Sequence, residues 1–216
     1  VPTSAEWLIF LGTATLFAIT PGPGILYVLA RSMRGGRSEG IRSSLGNSLG
    51  AAVHVIAAAL GLSALLATSA VAFTVVKIAG ACYLVALGLH AILRRHDDGV
   101  GGAGGAEPAT AGGVRRAARS PFGQGIITEL LNPKTALYFM ALLPHFVHPE
   151  TAPAPLVFLV LGLIALAMAL VADLAVALLA GTLGARLMAS PRWRVRQRVA
   201  SGLTMVGLGG FVAVAD

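Results

Sequence analysis

Charge is scarce in this chain: 12% of its 216 residues are charged and 56% are hydrophobic, whereas an ordinary soluble domain carries roughly 25% charged residues. With a mean hydropathy of +0.81, a typical water-soluble globular fold is excluded. The one cysteine, Cys82, lies in an apolar run, so neither an intrachain disulfide framework nor a thiolate metal cluster can be built. Nucleotide fingerprints are missing too. Neither G-x-x-x-x-G-K-[ST] nor a strand-bound G-x-G-x-x-G occurs, which removes ATP as a directly bound energy source. An H-E-x-x-H zinc helix is also absent and one cysteine makes no dithiol, so an intramembrane enzyme is disfavoured. No Lys or Arg precedes the first apolar stretch; it lacks the basic n-region of a cleavable signal and is expected to remain as a transmembrane helix.

What the chain has instead is apolar runs of about 20 residues, the length that crosses hydrocarbon. Six spans are expected, 6–30, 44–68, 70–93, 122–147, 155–181 and 199–215, joined by linkers 31–43, 69, 94–121, 148–154 and 182–198. The net charge of +7 does not signal nucleic-acid binding, because that requires the basic residues to share one soluble surface. Fourteen of the sixteen Lys and Arg fall in the first, third and fifth linkers, from Arg31 to Arg42, Arg94 to Arg119 and Arg186 to Arg198. If all six spans cross, these linkers share a side. The positive-inside rule makes that side cytoplasmic and puts both termini outside.

The segment 99–113 is low-complexity and glycine-rich, the flexible middle of the longest loop. It divides a single membrane domain, 1–216, into three-span halves 1–93 and 122–216 around the cytoplasmic loop 94–121. An odd number of crossings per half makes any repeat between them inverted, an architecture common in secondary transporters. The expected class is an all-α integral membrane protein, six transmembrane helices in two inverted three-helix repeats. Gly80 and Gly88 recur at the spacing of Gly202 and Gly210, which is thin support for that repeat.

Helix breakers sit inside otherwise apolar spans. Thr20-Pro21-Gly22-Pro23-Gly24 removes two backbone donors in the first span, and Glu129, Asn132, Pro133 and Lys134 interrupt the fourth. Each break leaves carbonyls that need substitute donors, so it must lie against protein or a water-filled cavity. A matched pair of interrupted spans points to a transporter's binding site; two ordinary proline kinks are the bland alternative.

Buried ionisable groups are the second signal, since a charge at mid-membrane costs about 2.5–3.5 kcal/mol even on lenient scales. Counting about 1.5 Å per residue, His54, Glu129, Asn132, Lys134 and Asp173 fall roughly 10–20 Å from the cytoplasmic boundary and can form one polar layer. Glu129 and Lys134, five apart, face each other poorly, so Asp173 is the expected partner of Lys134. Gly46, Gly50 and His54 share one face of the second span, with Asn47 one position around. His54 is either a proton relay or an interhelical hydrogen-bonding group. Lys77 is read as snorkelling, and Trp7 and Trp193 as interfacial anchors. The basic stretch 186–198 is expected along the anionic inner leaflet.

The run Thr20-Pro21-Gly22-Pro23, the segment Arg34 to Gly40, and Gly46, Gly50 and His54 together resemble the N-terminal signature of the LysE/RhtB family of bacterial amino-acid exporters. Gly80-Ala81-Cys82-Tyr83-Leu84 through Gly88, and Asn132-Pro133-Lys134 with Tyr138-Phe139, extend the likeness over essentially the whole chain. The resemblance implies a six-helix inner-membrane carrier that exports amino acids or related metabolites by proton exchange, with motif positions at Pro21, Gly22, Pro23, Gly50, His54, Asn132, Pro133 and Lys134. The long loop 99–113 departs from the family pattern. The expected partners are an amino-acid-like small molecule, protons and the lipid bilayer, with no nucleic acid, no cofactor and homo-oligomerisation left open. The breaks at 21–24 and 132–134 are expected to supply backbone contacts, and Asp173 or Glu129 to meet the substrate ammonium or carry the coupled proton. A channel or a carrier for another solute or ion is the competing reading.

Overall fold

The computed structural model describes residues 2–93, 120–180 and 190–214. The readings of loop 99–113 and of Arg94, Arg95, Arg115, Arg116, Arg119 and Arg186 fall outside them. Among the described residues there is no strand. The helices are α1 (Ser4–Ile19), α2 (Pro23–Ala57), α3 (Ser63–Thr68), α4 (Ala70–Leu93), α5 (Pro121–Leu130), α6 (Pro133–Leu137), α7 (Ala154–Leu179) and α8 (Pro191–Val214), with π turns at Ala58–Leu62 and Tyr138–Leu142 and a 3-10 turn at Leu143–Phe146. Among the described residues, four helical stretches are long and apolar enough to cross a membrane: Pro23–Leu65, Thr74–Leu93, Ala154–Leu179 and Val195–Val214.

The chain differs from the expected spans in three places. The first span, 6–30, is two helices: α1 starts at a Thr3/Glu6 capping box, ends at Ile19, and the chain restarts with Pro23 in the first helical position. Linker 31–43 is itself helical on both sides of Gly36, whose φ of 74° lies in the left-handed region that favours glycine. The helix reverses there: a Cβ on Gly40 would meet Ser32, eight residues earlier, and Arg31 pairs with Glu39 at 3.0 Å. In a straight helix such residues stand about 12 Å apart. Finally, residues 191–198 of the expected fifth linker are the first turns of α8, continuous with the last span.

Small residues let the helices touch. A Cβ on Gly46 would collide with the Phe122 carbonyl, and one on Gly50 would lie 2.7 Å from the Ile126 carbonyl oxygen, so α2 and α5 pack backbone to backbone. The core between helices is aromatic: Phe10 meets Phe146 edge-on at 5.4 Å, and Phe17 stacks on Tyr138 at 4.1 Å. Leu8, Val71, Leu93, Val171 and Leu179 point outward, each more than 60% exposed, as suits a fold whose solvent is lipid.

Candidate functional site

The two helix breaks meet in space, and each is repaired by a side chain from another helix. Pro21 has no N–H to give the Phe17 carbonyl four residues back. The Lys134 ammonium takes that place, donating to the Phe17 carbonyl at 2.6 Å and the Thr20 carbonyl at 2.7 Å, with the Phe17 ring centroid 4.5 Å away. A cation at the carbonyl end of α1 also suits its dipole. The Ser201 hydroxyl of α8 donates to the Pro21 carbonyl, and the Thr20 hydroxyl reaches Thr204 at 3.1 Å.

Pro133 likewise cannot serve the Glu129 carbonyl. His54 Nε2, in the tautomer that carries its proton there, donates to that oxygen at 3.1 Å, and the Asn132 N–H does so at 3.1 Å. Asn132 is also the N-cap of α6: its Oδ1 accepts the Lys134 N–H at 3.1 Å while its Nδ2 donates to Glu129 Oε2 at 3.1 Å. Thr135 donates to the other Glu129 oxygen. A Cβ on Gly24 would run into that carboxylate, which therefore sits at the amino end of α2, where Gly22 offers no side-chain cap and negative charge is favoured.

Asp173 on α7 accepts from Asn47 Nδ2 at 3.0 Å. The expected Asp173–Lys134 pair is not formed: among the described residues no carboxylate lies within 4 Å of Lys134, because the proline-freed carbonyls engage its ammonium. Asn47 Oδ1 is buried with no hydrogen-bond partner among the described residues. Glu129, Asn132, Lys134, Asp173 and Asn47 are all at most 7% exposed, so this polar layer is buried. The space they share with Gly22, Gly24 and Phe17 is about 40 Å³, room for a few waters and too little for an amino acid.

Of the residues singled out from sequence, Gly22, Gly24, Asn47, Glu129, Asn132, Lys134 and Asp173 line this cavity. Pro21, Pro23 and Pro133 shape the breaks beside it. Gly50 and His54 stand behind Glu129, a Gly50 Cβ falling 2.9 Å from that of Glu129. Phe17, Thr135 and Ser201 were not anticipated. Phe17 was findable, as the residue four before Pro21; Thr135 follows Lys134; Ser201 carries no local signal.

Residues 15–216 match the family described as LysE type translocator. An uncharacterized membrane protein of Vibrio cholerae serotype O1 is 31% identical over 97% of both chains. A homoserine/homoserine lactone efflux protein of Salmonella typhimurium is 27% identical over 97% of this chain and 96% of its own. A leucine efflux protein of Enterobacter sp. is 29% identical over 72% of this chain and 70% of its own. No solved structure matches the chain. Its apolar helices, its buried polar layer at paired breaks and the match over nearly its whole length make this chain a multi-pass membrane protein that belongs to the LysE type translocator family.

Proposed function

We propose that this chain exports amino acids or related small metabolites across the bacterial inner membrane in exchange for protons. The observation that carries the reading is the charge count of the buried layer. Glu129 and Asp173 face one ammonium, Lys134, within the same cavity, so with both carboxylates ionised and His54 neutral one negative charge is left over in low dielectric. A proton or a substrate ammonium balances it. Glu129 is held by two side-chain donors and the amino end of α2, whereas Asp173 has Asn47, which makes Asp173 the exchangeable group. Proton and ammonium compete for it, and that competition is the coupling. Lys134 uses two of its three N–H donors on carbonyls; the third is suited to the substrate carboxylate. The relatives named for homoserine, homoserine lactone and leucine efflux agree with a small amino-acid-like cargo.

The architecture that would run this exchange is six crossings in two inverted repeats, 1–93 and 122–216, with both termini periplasmic and loop 94–121 cytoplasmic. Two features support it. A helix restarting on a proline at its first position occurs in each half, and α4 crosses α8 where a Cβ on Gly88 or Gly202 would strike the other's carbonyl. The 40 Å³ cavity means that rocking of the repeats must open the layer to one side at a time.

The test is reconstitution in liposomes with labelled amino acids and an imposed pH gradient. Asp173→Asn should abolish gradient-driven flux and leave a weakened substrate-for-substrate exchange, because the amide keeps an acceptor for the ammonium without the charge; wild-type gradient-driven flux in that variant would overturn the coupling. Flux indifferent to the pH gradient in the unaltered protein would favour a passive pore. For topology, with Cys82 replaced, cysteines at positions 2, 150 and 216 should react with an impermeant maleimide in intact cells; labelling at position 100 instead would reverse the orientation.

A further inference from the structure

The buried layer explains how the charged end of an amino acid is met and leaves its side chain without a place. A second cavity, of about 410 Å³, lies on the other side of Ile25, which lines both spaces. The helices continue from one to the other. On α7, Ala169, Leu170 and Asp173 face the polar layer, and Ala172, Ala175 and Val176 face the larger cavity. Its volume is that of a small-molecule site. Its described walls are aliphatic apart from Pro21, Trp193 and Gln197, and hold no ionisable group. Trp193 Nε1 is buried there without a hydrogen-bond partner among the described residues.

We propose that this chamber receives the side chain of the exported amino acid, that Ile25 is the partition between side chain and charged end, and that the lining selects neutral, mainly apolar side chains. The inference rests on the exporter reading above and deepens it. An α-amino acid with its ammonium and carboxylate beside Asp173 and Lys134 must send its side chain away from them, and the chamber is the space on the far side of Ile25. A lysine or arginine side chain would be desolvated there with no partner for its charge. The competing occupant is a lipid acyl chain, because Ile19 and Leu179 at the wall are 60% and 64% exposed on the lipid-facing surface. The Ile25 wall shared with the polar layer favours the substrate, since it sets the chamber directly beside the groups that meet the charged end.

The experiment uses the full chain in liposomes, comparing efflux of labelled leucine, alanine and lysine. The unaltered protein should carry leucine and exclude lysine. Ala172→Phe, which fills the chamber, should lower the leucine-to-alanine ratio roughly tenfold or more, and Ile25→Ala, which thins the partition, should change it in favour of bulkier neutral side chains. Val176→Ala, a milder enlargement that should act in the same direction, covers the case in which Ala172→Phe does not elute as a folded protein in detergent. Leucine-to-alanine ratios unchanged in folded variants, or lysine carried as well as leucine, would overturn the chamber alone. Loss of a copurifying phospholipid from Ala172→Phe in native mass spectrometry, with selectivity unchanged, would overturn it in favour of a lipid groove. An unaltered protein that carries no amino acid would end the exporter reading and this inference with it.

Discussion

The break at Pro21 and the break at Pro133 are the same backbone defect, completed in different ways. At Pro133 the repair is mostly local: Asn132 caps α6, its own N–H turns back to the Glu129 carbonyl, and only His54 comes from another helix. At Pro21 the repair is entirely distant. Gly22 offers no cap, and the freed carbonyls are held by Lys134 from α6 and by Ser201 from α8. The second break is thus a preformed platform that presents Glu129 and Lys134, and the first is a helix end held in place by what it touches. A carrier needs one fixed wall and one that can let go, so we expect the first break to be the moving partner.

The sharpest way to break this comparison is Lys134→Met. It strips two carbonyls of their donor and leaves two buried carboxylates uncompensated, which should cost about 3–5 kcal/mol in detergent unfolding, with partial recovery when Asp173→Asn is added. Gly50→Ala attacks the platform from behind, where the new methyl would press on the Ile126 carbonyl and Glu129; about 1–3 kcal/mol is expected by the same measurement, whereas Gly12→Ala, with open space around it, should be nearly silent.

Pro21→Ala restores an internal donor for Phe17 and frees Lys134, so transport should fall about tenfold, or about 1.4 kcal/mol in barrier, with membrane insertion intact. Pro133→Ala should do less, since Glu129 already has two donors. Full export by the double alanine variant would reduce both breaks to ordinary kinks. Asn132→Ala removes a cap and should cost about 1 kcal/mol; a loss as large as that of Lys134→Met would erase the asymmetry. The smallest effect belongs to His54→Gln, whose amide can still donate to the Glu129 carbonyl: stability should change by less than about 1 kcal/mol and gradient-driven flux should persist. Loss of that flux with the fold intact would make His54 a proton carrier instead.

Much of the site was legible in advance because the signals are local. An apolar run of membrane length, a proline within it and a charge inside it can each be read from a few neighbouring residues, which is why Gly22, Gly24, Glu129, Asn132, Lys134 and Asp173 were all singled out and all line one cavity. The proline rule even names the orphaned carbonyls, at Phe17 and Glu129. The helical reversal at Gly36 was not legible, because only the packing of Ser32 against Gly40 distinguishes it from a loop. Nor was the choice Lys134 makes.

By itself the sequence determined the solvent of this protein, the places where its helices must break and which charges lie within apolar stretches, because hydropathy and the missing N–H of proline are properties of a chain read in one dimension. Only the tertiary structure decided which group answers which defect. An ammonium between a carboxylate and an unpaired carbonyl goes where geometry lets it make short bonds, and that geometry is set by two carbonyls at the end of α1, 114 and 117 residues away in the chain, within a packing that includes glycine contacts between α2 and α5 that no local pattern specifies.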